Sequence, residues 1–367
     1  MSKSLMFVGG RNRDAAGNAI GDDRGISVYR LDGESGVIDL LSRLGEVDNP
    51  TFLALPPDGR LLATVSERAG AVEGSVSTLA IDSHGKLRLL GTQPSGGFTP
   101  AHLSFDNTGR YLAAVNYTDA PLPAASQSVR IFRLDADGAP GDVVGEASHT
   151  GKGEDRSRQD RPHAHCVRWT LDNRFVVVAD LGIDRLVVHR FDATTGRITR
   201  HRDVVLPAGS GPRHFVFHPT LPFAYVVNEL SNTVASLAFD AANGAFRLLA
   251  EESALPTGVT KESYCSAIAV AAGGRHLFAG NRGHDSIARF DIDASGIARF
   301  IRTTPCGGKW PRDFAFDPDG RVLAVANQQS DAVSLFRYDP QSGALTPLGE
   351  PIASNIPTAI VFRPQPD

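Results

Sequence analysis

The chain has 367 residues, 41% of them hydrophobic and 21% charged, the balance of a globular protein with a sizeable core. A net charge of −4 excludes the basic surface of a general nucleic-acid binder but leaves room for a local positive pocket. Three cysteines, Cys166, Cys265 and Cys306, give neither a disulfide framework nor paired metal spacing and point to reduced thiols. In chain order, Leu5-Met6-Phe7-Val8 reads as a strand with no basic leader before it, so no secretory signal is expected. No apolar run reaches the length of a membrane span, and the expected location is the cytoplasm. Residues 11–25 follow as a polar, Gly-rich loop.

From Pro50 onward one pattern recurs. A short apolar strand opens at Pro50, Pro100, Ala164, Pro212, Cys265, Pro311 and Pro357, seven copies in all. A tight turn usually follows, as in Asp58-Gly59-Arg60 or Asp319-Gly320-Arg321, and Asp-Gly is a strong hairpin signal. A second apolar strand comes next, such as Leu61 to Val65 or Val322 to Ala326, then a third and a fourth. Four strands in each repeat of roughly 40–50 residues is the period of a β-propeller. The β-branched runs and the lack of long amphipathic patterns argue against a helical solenoid. The expected fold is therefore all-β, a seven-bladed β-propeller with four-stranded blades. The seventh opening strand lies at the C-terminus, so Leu5–Gly10, 26–31 and 37–41 should supply its partners and close the last blade from both termini. One domain over residues 1–367 is expected, with 11–25 and 145–162 as inserted loops. The second loop carries Lys152, Glu154, Asp155, Arg156, Arg158, Asp160 and Arg161; it reads as a solvated loop or as a lid, since it feeds into His163-Ala164-His165.

In a propeller the start of each first strand and the end of each second strand gather on one face of the disc, the natural place to look for a site. The first-strand positions hold Thr51, Ala101, His165, Arg213, Ser266, Arg312 and Thr358. The second strands end on Ser66, Asn116, Asp180, Asn228, Asn281 and Asn327, each followed by a less repetitive residue that includes Glu67, Glu229 and Arg282. The recurring asparagine suits a turn, where it bonds its own backbone, or a polar ring whose amides orient a ligand. The cations, with one carboxylate and one imidazole, suit an anionic, oxygen-rich ligand, because a guanidinium grips carboxylate or phosphate through a planar fork. His214 and His218 read as turn or strand-packing residues, and Trp169 and Trp310 as packing between blades. A Cys166–His165 nucleophile is disfavoured because neighbouring strand residues point to opposite faces.

Gly211-Pro212-Arg213-His214 followed by Val227-Asn228-Glu229-Leu230, with Pro162-His163-Ala164-His165 upstream, resembles the seven-bladed β-propeller lactonase family, which includes bacterial 6-phosphogluconolactonases and fungal carboxymuconate lactonising enzymes. The resemblance covers essentially the whole chain. It implies a small anionic lactone as substrate, with no cofactor and no metal, and a monomer or weak homodimer with no nucleic-acid or membrane partner. It implies His165, Arg213, Glu229 and Arg282 as the catalytic set. His163, Asn116, Asn228, Asn281 and Arg312 are expected to bind substrate, and Arg282, Arg312, Lys152 or Arg156 to hold a phosphate. The expected reaction is hydrolysis of a sugar lactone, foremost 6-phosphogluconolactone to 6-phosphogluconate. The alternatives are a muconate-type cycloisomerase, a propeller that binds a metabolite or protein without turnover, and a metal-dependent lactonase using the oxygens of Glu67, Asn116, Asp180 and Asn228.

Overall fold

The computed structural model describes residues 3–21, 24–68, 72–118 and 127–365. Two positions of the predicted 11–25 loop, residues 22 and 23, lie outside the described residues. Among those described, seven antiparallel sheets carry the chain. Blade 1 runs Pro50–Ala54, Leu61–Ser66, Glu73–Ile81 and Leu87–Phe98; blade 2 runs Pro100–Phe105, Tyr111–Asn116, Val129–Leu134 and Pro140–Ala147; blade 3 runs Ala164–Trp169, Phe175–Asp180, Arg185–Phe191 and Ile198–Val205. Blade 4 comprises Pro212–Phe217, Phe223–Asn228, Thr233–Asp240 and Ala245–Ser253, and blade 5 comprises Tyr264–Val270, His276–Arg282, Ser286–Ile292 and Ala298–Pro305. Blade 6 has Pro311–Phe316, Val322–Asn327, Ala332–Tyr338 and Leu345–Pro347, with Ile352–Ala353 as a short extra strand on its third. Blade 7 is built from both ends of the chain, in the order Pro357–Pro364, Lys3–Gly10, Ile26–Asp32, Ile38–Leu44, as the repeat register requires.

The chain forms two compact units. One holds Met1–Val8, Tyr29–Leu40 and Gly209–Asp367; the other holds Gly9–Val28 and Leu41–Ala208. In each, the second strand of a blade is sandwiched and its residues divide strictly by parity. In the first unit Leu277 and Ala279 pack with Tyr225 and Val227 of blade 4, whereas the intervening Phe278 packs with Phe314, Leu323 and Val325 of blade 6. Val322 and Ala324, one residue out of phase with Leu323, face Met6, Val8 and Leu31 of blade 7 instead. The second unit repeats this, with Ala113 and Val115 packed towards Val176 and Val178 of blade 3 and Leu112 and Ala114 towards Leu61 and Ala63 of blade 1. A two-residue side-chain period buried on both sides produces these near-continuous apolar strands.

Two backbone devices recur at the end of each blade where chemistry was expected. The residue just before an opening proline adopts the left-handed conformation at Asn49, Thr99, Gly211, Trp310 and Ile356. The strand that follows contains a bulge. Pairing slips between Pro50 and Leu53, Pro100 and His102, Ala164 and Cys166, Pro212 and His214, Cys265 and Ile268, and Pro311 and Asp313. The residues skipped by the ladder include Ala101, His165, Arg213, Ser266 and Arg312, the first-strand positions singled out from the sequence. A bulge leaves one residue unpaired and re-aims its side chain.

The two inserted loops are tied down. Asn12 and Asn49, both buried, exchange backbone-to-side-chain hydrogen bonds of 3.0 and 2.7 Å, and Arg11 forms an ion pair with Glu67. The charged segment starts later than the predicted 145, since Gly145 to Ala147 finish a strand. Its anchor is Gln159, fully buried, whose amide donates to the Leu181 carbonyl at 2.8 Å and to Asp184 at 2.7 Å. Lys152 and Arg156 are exposed.

Candidate active site

In the first unit three consecutive carbonyls around the blade 5 bulge are met by guanidinium groups. Arg213 Nη1 donates to Ser266 O at 2.7 Å. Arg282 donates through Nε to Tyr264 O at 3.3 Å and through Nη2 to Cys265 O at 3.0 Å. The bulge skips Ser266 while Tyr264 and Cys265 stay paired with the second strand, and buried carbonyls need donors. Both guanidiniums also converge on one oxygen of Glu229: Oε2 lies 3.1 Å from Arg213 Nε and 2.7 Å from Arg282 Nη2. All three residues are buried, at 2%, 6% and 4% exposure for Arg213, Arg282 and Glu229.

Electrostatics makes this more than a staple. Burial presses the pKa of Arg213 down to about 9, and the Arg282 and Arg312 guanidiniums push the same way against the pull of Glu229 and Asp313. Arg213 is still cationic at neutral pH. The buried trio sets two guanidiniums, Arg213 and Arg282, against the one carboxylate of Glu229, a surplus of one positive charge held where water is scarce and charge acts strongly, with Arg312 half-buried nearby. Asp313 is itself fixed, accepting from Ile360 N at 2.9 Å. Cys265 beneath the cluster is no nucleophile: burial pushes its thiol up to about 12.

The sequence did not single out Trp310 for this site. Instead of packing as a blade-to-blade filler it lies partly exposed, with the Arg282 guanidinium 5.6 Å from its ring centroid and the Tyr264 ring 6.3 Å away. Trp169 meets the packing expectation, buried with Tyr111 of blade 2 and Phe191 of its own blade.

In the second unit His165 occupies the blade 3 bulge, 6% exposed, with the edge of its ring against Tyr117 at 5.6 Å. His163 stacks on the same tyrosine at 4.3 Å, and its Nδ1 is 2.6 Å from the Tyr117 carbonyl. Asp180 sets the approach to this segment. Its Oδ1 accepts from His163 N at 2.7 Å and from Gly182 N at 3.1 Å, and its Oδ2 bonds His149 Nδ1 at 2.7 Å. Gly182 is required there, since a Cβ would stand 1.9 Å from the Arg161 carbonyl. Cys166 pairs with His102 Nε2 at 3.5 Å, away from its neighbour His165.

Behind His149 lies His189, with the two Nε2 atoms 3.2 Å apart. Burial first, then His149 and Arg200, press the pKa of His189 down to about 3, and Asp203 opposes them. Unfolded, an imidazole titrates near ~6.5. Below that pH the unfolded chain binds a proton that the folded chain refuses, so stability should fall from about pH 6.5 towards 3 and level off below it. Denaturant titrations at pH 7 and pH 5 should differ by about 2 kcal/mol from this residue, and His189→Gln should flatten the difference.

The asparagines expected to bind substrate have their amide donors engaged within the protein. Asn116 donates its amide to Ser95 O and Gln127 O at 3.0 and 2.8 Å, and Asn281 to Ala254 O and Ser286 Oγ at 2.8 and 3.2 Å. Asn228 donates to Thr233 Oγ1 at 2.9 Å and Glu251 Oε1 at 2.8 Å, and Asn327 repeats the device with Cys306 O and Ser334 Oγ. Asn228 bonds within its own blade, whereas Asn116, Asn281 and Asn327 also tie the end of the second strand to the chain at the end of the preceding blade's fourth strand, and these amide donors are spent. The oxygens considered for a cation are also engaged, Glu67 by Arg11 and Asp180 by three donors. His218 is a turn staple, accepting from Thr220 N and Leu221 N at 3.2 and 3.0 Å.

A family model for the seven-bladed β-propeller lactonases matches residues 6–362. The chain belongs to the lactonase family of seven-bladed β-propellers. The 6-phosphogluconolactonase of Bacillus subtilis is 34% identical over 367 residues, all of both chains. The 6-phosphogluconolactonase of Formosa agariphila is 36% identical over 95% of this chain and 97% of its own. Among solved structures, the periplasmic gluconolactonase of Pseudomonas aeruginosa superposes with a TM-score of 0.89 at 31% identity, over 98% of this chain and 99% of that one. No helix among the described residues is long and apolar enough to cross a membrane.

Proposed function

We propose that this lactonase-family chain hydrolyses a sugar lactone, foremost 6-phosphogluconolactone, in the cytoplasm. The observation that carries the reading is the buried, singly positive trio of Arg213, Arg282 and Glu229, with the half-buried Arg312 and buried Asp313 beside it, at the bulged ends of blades 4 to 6. The names of the full-length relatives support the same substrate class. Three buried free thiols suit a reducing compartment.

Hydrolysis adds water to the lactone carbonyl carbon and places an electron pair on the carbonyl oxygen. Collapse breaks the ring C–O bond, and the alkoxide takes a proton to give a hydroxy acid. The developing oxyanion needs a donor that does not reorganise during the reaction. Arg213 is such a donor, pinned by Ser266 O on one side and Glu229 on the other. Proton transfer is assigned to His165 rather than Glu229, because Oε2 of Glu229 already holds two guanidinium groups. Glu229 then serves to fix both arginines. Glu229→Gln raises the cluster's surplus from one positive charge to two, so kcat should fall about tenfold to a hundredfold as the guanidiniums move apart. The acid limb of the pH–rate profile should stay where it is; its loss would return the proton-transfer role to Glu229.

The likeness to a gluconolactonase favours one further reading, hydrolysis of the free sugar lactone. Initial rates on gluconolactone with and without a 6-phosphate decide between them. Preference for the phosphorylated substrate that disappears in Arg312→Ala supports the first reading, and equal kcat/KM on both supports the second. No acceleration of either over buffer would sink both.

A further inference from the structure

Trp310 stands in a backbone position that suits it poorly. It takes φ +63°; the equivalent slot holds Asn49 in blade 1 and Gly211 in blade 4, residue types that enter this region at least cost, and also the β-branched Thr99 and Ile356. A bulky aromatic residue there is an outlier that needs a reason. The surroundings hold the ring in place. Trp310 N donates to Asp285 Oδ1 at 2.8 Å, and Asp285 N donates to Asn281 O at 2.8 Å, beside Arg282. Lys261 reaches the other oxygen of Asp285 at 3.5 Å. One turn of blade 5 therefore fixes the backbone at Trp310 and next to Arg282, whose guanidinium lies against the indole. The indole and the Tyr264 ring are partly exposed, whereas Arg282 and Glu229 beside them are buried. The pair thus offers an aromatic surface at the margin of the charged cluster.

We propose that Trp310, flanked by Tyr264, is the platform on which the C–H face of the sugar ring stacks, a specificity-determining residue of the lactone site. The inference rests on the lactonase reading of the cluster. The negative face of an indole attracts the electropositive C–H groups of a sugar ring and tolerates several hydroxyl patterns. Such a residue touches substrate without moving protons, so its removal should act on binding.

Trp310→Asn places in blade 6 the residue that blade 1 already carries in the same conformation. Its KM for sugar lactones should rise about tenfold while kcat changes less than about threefold, and Trp310→Phe should recover most of the loss. The chain has two tryptophans, so Trp169→Phe leaves Trp310 as the sole indole reporter. Titration of that variant with sodium gluconate and with 6-phosphogluconate should give a saturable fluorescence change at the concentrations that inhibit turnover. An unchanged KM in Trp310→Asn, or silent fluorescence while the same ligand inhibits, overturns the platform and leaves the lactonase reading standing. A wild-type chain that hydrolyses no sugar lactone overturns both. Should Trp310→Asn fail to fold, the fluorescence titration alone decides.

Discussion

His165→Ala is expected to lower kcat by about 10²–10⁴-fold, the usual contribution of a positioned acid–base group. The blade 3 bulge releases His165 from the ladder, and the Tyr117 ring fixes the imidazole by its edge. Both constraints act on position, and neither depends on the imidazole being there for the fold: the strand pairs on either side of the skipped residue. Melting temperature should therefore move far less than kcat. The acid limb of the wild-type pH–rate profile should vanish with the histidine, since protonation of the base is what that limb reports. Equal turnover by the variant, or the same limb at lower amplitude, would reassign the proton acceptor.

Arg213→Ala should lose about 10²–10³-fold in kcat, the effect of removing one fixed oxyanion donor. It should also weaken the fold by about 3–5 kcal/mol, because half of a buried ion pair is removed. The carbonyl of Ser266 loses its donor, and Oε2 of Glu229 loses one of its two guanidiniums, keeping Arg282. Arg213→Lys separates the two effects. A lysine restores the charge but is a point donor, unable to serve Ser266 O and Glu229 from one rigid plane. Stability should largely return while kcat stays low, as seen by parallel denaturant titration and steady-state kinetics. Recovery of both together would mean that the arginine matters only for the fold.

The repeat made much of this legible. Aligning the opening strands placed His165, Arg213 and Arg312 at equivalent positions, and those are the positions that the ladder skips. The closing of blade 7 from both termini followed from counting strands. The asparagines misled because an amide at a strand end looks the same whether it faces a ligand or a carbonyl. A local signal was present, a serine or threonine five residues on at Thr233 after Asn228 and Ser286 after Asn281, ready to take the amide proton. The chain of contacts from Asp180 through His149 to His189 was invisible, because three separate elements supply it. Trp310 was visible as a residue but not as a neighbour of Arg282 and Tyr264, since blade 5 and the start of blade 6 bring the three together.

Turnover is the central test. The direct measurement is proton release from freshly made 6-phosphogluconolactone in a pH-stat, with the spontaneous rate subtracted, for the wild-type chain beside Arg213→Lys. A wild-type kcat/KM of at least about 10⁴ M⁻¹s⁻¹ is expected, with a folded variant slower by a hundredfold or so. A wild-type rate no faster than buffer, or a variant as fast as wild type, would contradict this expectation.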